Sequence, residues 1–349
     1  MNTGLDTTAS EHGAGSVTVW LTLCCAMVIA MMQLGAITRL TQSGLSITSW
    51  DPIIGVVPPL DETGWRRAFD AYRATPQYRL LNPGMTLEAF REIFFWEWLH
   101  RLWGRLIGLV FAVPLAVFWA RGRIGRSLGL RLTMILALGG FQGFVGWFMV
   151  QSGLVERTSV SPIRLALHLD MAVAIYSLLL WQALAGWTNT RFSSGAGPRR
   201  HGWVAFACLV LTMTWGALVA GLQAGSMYTT WPLMADELLP AAVTAMDPIW
   251  LNPTENPAMV QFIHRWLGPF TLVMILGWVW RCRRAAPDGG IGLGLLAAAT
   301  LAQVGLGLAT LLSQVEHLIA VAHQAGAMTV LTLLLYNLRR YHAPATGRR

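Results

Sequence analysis

The sequence predicts an all-α membrane protein with eight transmembrane helices, arranged as two pseudo-symmetric four-helix bundles that form a parallel internal repeat. Three observations lead there. Of 349 residues, 54% are hydrophobic and only 12% charged, about half the roughly 25% charge of an ordinary soluble domain. Eight apolar runs are long enough to cross ~30 Å of hydrocarbon. Segments of the first half also recur in the second, each in the corresponding span.

The runs lie near 17–38, 93–120, 129–150, 162–187, 202–221, 258–280, 291–312 and 317–338. An even number leaves both termini on one side. The chain has no lysine, so its net charge of +8 rests on arginine and reads as topology rather than nucleic-acid binding. Arg121, Arg123, Arg126 and Arg131 follow span two, Arg191, Arg199 and Arg200 follow span four, and Arg281, Arg283 and Arg284 follow span six. Arg339 and Arg340 close span eight. The positive-inside rule puts these connections in the cytoplasm. Residues 222–257 hold Asp236, Glu237, Asp247 and Glu255 but no arginine, and so face outside. The 1–16 tail lacks arginine and the first outer loop has six between Arg39 and Arg91. Long loops cross largely regardless of charge, however, so the short ones decide.

That acidic tail matches neither a secretory nor a mitochondrial targeting segment, which leaves a bacterial inner membrane as the expected location. Cys24, Cys25 and Cys208 fall in spans and Cys282 at an inner helix end, so no disulfide is expected, and no zinc spacing occurs.

With an offset of 181, GAITRLTQSGLSITSW (35–50) and GALVAGLQAGSMYTTW (216–231) share Gly, Ala, Gln, Gly, Thr and Trp. WLHRLWG (98–104) echoes FIHRWLG (262–268), and Gln142-Gly143-Phe144-Val145-Gly146 echoes Gln303-Val304-Gly305-Leu306-Gly307. The expected parse is a cytoplasmic tail (1–16), an N-terminal half (17–190), a linker (191–201), a C-terminal half (202–340) and a second tail (341–349). Halves of like topology are parallel repeats about an axis along the membrane normal. Glycines in the odd spans allow close helix approach or leave room for a flat macrocycle. In the first outer loop Trp65, Phe69 and Tyr72 recur at helical spacing beside Arg66, Arg67 and Arg73, after a cap at Asp61 or Thr63. An amphipathic helix is expected there, on the outer interface or roofing a site.

His100, His168, His264 and His323 each sit about two turns into an even-numbered run, so they share one layer. Intramembrane histidines are costly unless paired or ligated. A tetrahedral metal needs four ligands to converge, whereas two hemes, each gripped axially by two imidazoles, need convergence only within a bundle. His12, His201 and His342 read as solvated, and His317 as lying off the face of His323.

Glu97 precedes His100 by three residues, on the same helix face. The matching position before His264 is Gln261. Either Glu97 only pairs with Arg101, or the N-terminal half performs chemistry that the C-terminal half does not. Arg101 and Arg265 follow their histidines directly and suit heme propionates. Arg105 lies one turn deeper, where an internal anionic partner such as Glu97 or a propionate is expected. Arg39 reads as a snorkelling interface residue.

In TRLTQSGLSITSWDPIIGVVPP, EWLHR, LHLD, FIHRW and VAHQA, taken in this order and spacing, the chain resembles the heme A synthase family, in its branch without an outer-loop cysteine pair. The resemblance implies that His100 and His168 flank the substrate heme O, that His264 and His323 ligate a heme b, and that Glu97 matters for catalysis. It implies successive oxidation of the C8 methyl of heme O, through an alcohol, to a formyl group. An electron donor is implied as partner, with heme O synthase, cytochrome oxidase assembly factors and membrane lipid as further partners. Two other classes stay open on the residues alone: a diheme b-type electron carrier oxidising quinol, and a transporter built on parallel repeats.

Overall fold

In the computed structural model the described residues are 6–50, 54–155, 157–188, 192, 196–286 and 290–341. Arg191, His342 and most of the second tail lie outside them. All eight expected spans are helices: α1 (Asp6–Leu40), α4 (Leu87–Ala120), α5 (Arg126–Val155), α6 (Pro162–Trp187), α7 (Ala196–Gly221), α9 (Pro257–Ala285), α10 (Gly290–Leu312) and α11 (His317–Arg340). In the connection between the first two spans, helices α2 (Glu62–Arg73) and α3 (Pro76–Leu81) precede α4, and a short α8 (Asn252–Glu255) precedes α9.

Each boundary has a local cause. Prolines open α6 and α9, where a missing N–H costs nothing. Asn256 and Glu316 accept backbone N–H groups at the starts of α9 and α11. Helix α4 begins well before its apolar run because Thr86 caps it, accepting from Ala89 N at 3.2 Å, and because Phe90 and Phe94 are buried beneath α2. The expected loop helix is α2. Asp61 caps it through Gly64 N at 2.6 Å, and its aromatic face, with Tyr72 fully buried, stacks on Phe90 at 5.3 Å. This face covers the extension of α4.

Helices α1, α4, α5 and α6 pack in a closed ring, and α7, α9, α10 and α11 in another. Contacts of α6 with α7 and α11, and of α1 with α11, join the two. Lipid supplies little hydrophobic force between helices, so buried hydrogen bonds and close packing secure this seam. Tyr176 Oη lies 2.6 Å from Thr332 Oγ1, Thr214 donates to Asp170 at 2.9 Å, and Gln324 donates to Met32 O at 2.7 Å. Arg39 also belongs here. Instead of snorkelling, it donates to the carbonyls of Ala220 (2.8 Å) and Gly221 (3.1 Å), satisfying the exposed end of α7. The reason is geometric: the last carbonyls of a helix lack intrahelical partners, and α7 ends within reach of α1.

Candidate functional site

The four histidines occupy equivalent places in the two rings. His100 on α4 rests against Gly35 of α1, where an added Cβ would meet its Cε1 at 3.2 Å. His264 on α9 rests against Gly216 of α7 at 3.1 Å. His168 on α6 rests against Gly146 of α5, and His323 on α11 against Gly307 of α10, both at 2.9 Å. Every imidazole therefore lies on a glycine of a neighbouring helix. A methyl group at any of the four would crowd the ring.

Across the second ring His264 and His323 face one another. The His264 and His323 ring centroids are 6.5 Å apart and nearly perpendicular, at 85°. Two imidazole–metal bonds of about 2 Å and two ring radii of roughly 1 Å span about 6 Å, so this pair has the separation of trans axial ligands. His100 on α4 and His168 on α6 belong to the first ring, each against its own glycine. Among the described residues no group of three or more His, Cys, Asp or Glu side chains converges on a metal position.

The surroundings of the pairs differ. His264 Nδ1 donates to Thr212 O at 3.0 Å, which leaves Nε2 as the ring nitrogen without a backbone partner. His323 Nδ1 lies 3.2 Å from Gln303 Nε2. The Nδ1 atoms of His100 and His168 are buried with no partner. Gln142 and Gln303 each donate to the main-chain carbonyl of the opposing histidine, His168 and His323, at 2.8 Å. The sequence marked these glutamines only as repeat matches, and the four glycines as small residues of the odd spans without saying that each meets an imidazole.

Above each pair, the loop leaving α1 or α7 is fastened to the next span. Arg101 donates to Ile47 O and Ser49 O at 3.0 Å, and lies 5.9 Å from the Trp50 ring. Arg265 donates to Tyr228 O (3.0 Å) and Thr230 O (2.8 Å), and lies 5.6 Å from Trp231. These loop positions match at the 181-residue offset. So do Gln42 and Gln223, whose φ values of 54° and 53° turn the chain out of its helix. Both arginines thus engage loop carbonyls where propionates were expected. Arg265 Nε alone is left buried with no partner.

Glu97 is 3% exposed and accepts three hydrogen bonds: Arg101 at 2.6 Å, Ser46 Oγ at 2.8 Å and Ile47 N at 2.8 Å. Its counterpart Gln261 reverses the polarity and donates to Tyr228 O at 2.9 Å. Both residues hold the loop, but only one brings a carboxylate. His201, expected to be solvated, instead packs on Gly277.

Eight membrane helices that carry two pairs of histidines inside two four-helix rings define a polytopic membrane protein. The chain belongs to the cytochrome oxidase assembly protein family (COX15-CtaA), whose model matches residues 18–335. Among its relatives is a heme A synthase of Rhodospirillum centenum, 52% identical over 95% of this chain and 90% of the relative. Proteins of the same name from Allorhizobium ampelinum (45% identical, 97% and 93% covered) and Parvibaculum lavamentivorans (42%, 96% and 96%) are also similar.

Proposed function

We propose that this protein is a heme A synthase, oxidising the C8 methyl of heme O through an alcohol to a formyl group. The observation that carries the reading is the facing imidazole pair at axial-ligand separation, in a chain about half identical to a protein of that name. On this reading His100 and His168 hold the substrate heme, and His264 and His323 hold a heme b. The hydrogen bond that fixes His264, absent from His100 and His168, supports the split. An imidazole oriented by an outer partner is the more basic, better-placed ligand, which suits a resident group, while unfixed rings suit one that comes and goes.

Bound heme b would supply one-electron transfer. The chain's own part is to hold and orient. Gln142 and Gln303 fix the backbone behind two ligands, and Arg101 and Arg265 tie the loops over both pairs. Arg265 Nε is the remaining donor for an anionic side group. Glu97 locks residues 46 and 47 above the substrate side and places a carboxylate one turn from His100. We read the chain as two copies of one four-helix unit, of which only the first retains this acid. The location is the bacterial inner membrane, with both termini cytoplasmic and the heme sites toward the periplasm. An electron donor, heme O synthase and oxidase assembly factors are the partners.

The test is co-expression with a heme O source, followed by pigment extraction and mass analysis. A formyl heme is expected. Two stoichiometric hemes b with no formyl product would reject the reading in favour of a diheme electron carrier.

A further inference from the structure

Two axial imidazoles fix an iron atom and the plane of its porphyrin, but leave the ring free to turn about the axis joining them. Oxidation at a single methyl requires that turn to be fixed. The group that distinguishes heme O from heme b is a long isoprenoid chain on one edge, and a slot for that chain would set the rotation.

The C-terminal half has a groove on α9, lined by Phe262, Trp266 and Phe270; beside the N-terminal pair the groove is instead on α5 and measures about 450 Å³. Gly140 and Gly143 of α5 form its floor, and Phe144, Trp147 and Trp50 form its walls. An added Cβ at Gly140 or Gly143 would meet nothing within 4 Å. Phe144 stacks on Phe141 at 5.6 Å and 20°, and on Phe148 at 6.4 Å and 10°, making a ladder of flat apolar faces. At one end the groove reaches a residue next in sequence to those of the site. Trp147 follows Gly146, on which His168 rests, and lies 6.5 Å from Trp50, which lies beside Arg101. From Gly146 to Gly140 the helix covers about 9 Å at ~1.5 Å per residue, toward the middle of the span.

Helix α10 reverses each feature. At the 161-residue offset that relates Gly146 to Gly307, the floor glycines become Leu301 and Val304. Phe141, Phe144, Trp147 and Phe148 become Ala302, Gly305, Leu308 and Ala309. On α10 the floor is filled and the aromatic walls contributed by α5 are gone, while Trp231 keeps the place of Trp50. A lipid-facing surface alone gives no reason for that exchange.

We propose that the Gly140–Gly143 groove receives the isoprenoid chain of heme O and thereby fixes the rotation of the substrate between His100 and His168. The proposal rests on the heme A synthase reading above. Because the chain is already in an apolar medium before it enters, the groove contributes shape and register rather than hydrophobic driving force.

The test compares wild type with Gly143→Leu, which fills the floor, and Phe144→Ala, which removes a wall. Leucine at an open helical position improves helix propensity, so the first variant is expected to fold, and an unchanged resident b-type spectrum checks this. Steady-state heme A formation is measured against heme O concentration, with titrations of heme O and of chain-free heme b into the N-terminal site. Loss of one pocket contact typically changes discrimination by roughly tenfold or more. Expected is that fall in kcat/KM and in heme O affinity for both variants, with heme b affinity at the N-terminal site unchanged. Wild-type turnover with unaltered heme O affinity in the variants would overturn the groove and leave it a lipid contact. A wild type that makes no heme A would instead overturn the functional reading beneath it.

Discussion

Replacing Gly307 by alanine should loosen the C-terminal heme while leaving the helix bundle intact. The new Cβ would stand 2.9 Å from His323 Cε1, whereas ordinary contacts begin near 3.4 Å. The ring must therefore retreat by about half an ångström, toward a partner whose centroid is 6.5 Å away. That is the tolerance within which functional groups need to be held, about 0.5 Å. Overpacking of this kind costs about 1–3 kcal/mol, or roughly 5- to 150-fold in heme affinity at about 1.4 kcal/mol per decade. Alanine is the better helix former by about 1 kcal/mol, so loss of heme is not a consequence of a weaker helix. Gly268→Ala, on the same face of the problem but with nothing within 4 Å of its Cβ, is the control. The assay is Soret absorbance per protein after challenge with a heme-scavenging apoprotein. Equal retention in Gly307→Ala, Gly268→Ala and wild type would refute the glycine shelf and the ligand geometry built on it.

Glu97→Gln should keep heme binding but lower heme A formation by roughly tenfold or more, because charge-assisted hydrogen bonds from Arg101, Ser46 and Ile47 are each worth about 1.5–3 kcal/mol; normal turnover removes Glu97 from the mechanism. His264→Ala should lose the resident b-type absorbance while His100→Ala keeps it, as read by absorbance of the purified proteins, and the opposite pattern reverses the site assignment. Arg39→Leu strips its donors from Ala220 and Gly221 and should lower stability by about 1–3 kcal/mol, measured as a thermal midpoint in detergent. Backbone N–H groups of Ile319 and Leu318 hold the exposed Glu316 carboxyl below its ordinary value of 4.5. A depressed folded-state value makes its contribution present above 4.5 and lost as pH falls through the lowered value. The thermal-midpoint gap between wild type and Glu316→Gln should therefore be open at neutral pH and close in acid; a gap independent of pH contradicts this.

The spans were legible because length and apolarity alone decide whether a helix can cross lipid, and the loop helix because its aromatics repeat at helical spacing. The start of α4 was not. Residues 87–92 include Glu88, Arg91 and Glu92, and they become helical through Phe90 packing under α2. The roles of Arg39, Arg101 and Arg265 were hidden for another reason. Their partners are main-chain carbonyls, which any residue possesses, so no pattern of side chains points to them. The histidine layer could be read from depth, yet which glycine meets which imidazole depends on helix order around each ring. Phe141, Phe144, Trp147 and Phe148 were in plain view as apolar residues of a span. Only the space between them, and its loss in α10, gives them a separate meaning.

Arg39 binds the carbonyl of Ala220, the residue 181 positions further on and its own counterpart in the sequence repeat. A residue that touches its counterpart sits where a two-fold axis would pass, since in a self-complementary pair only points on the axis meet themselves. Two N-terminal halves brought together in that manner would drive one guanidinium into another, in a setting where like charges repel strongly. Two C-terminal halves would leave the helix ends there without a donor. Separately expressed halves should accordingly assemble as unlike couples only, held to that choice by this one arginine.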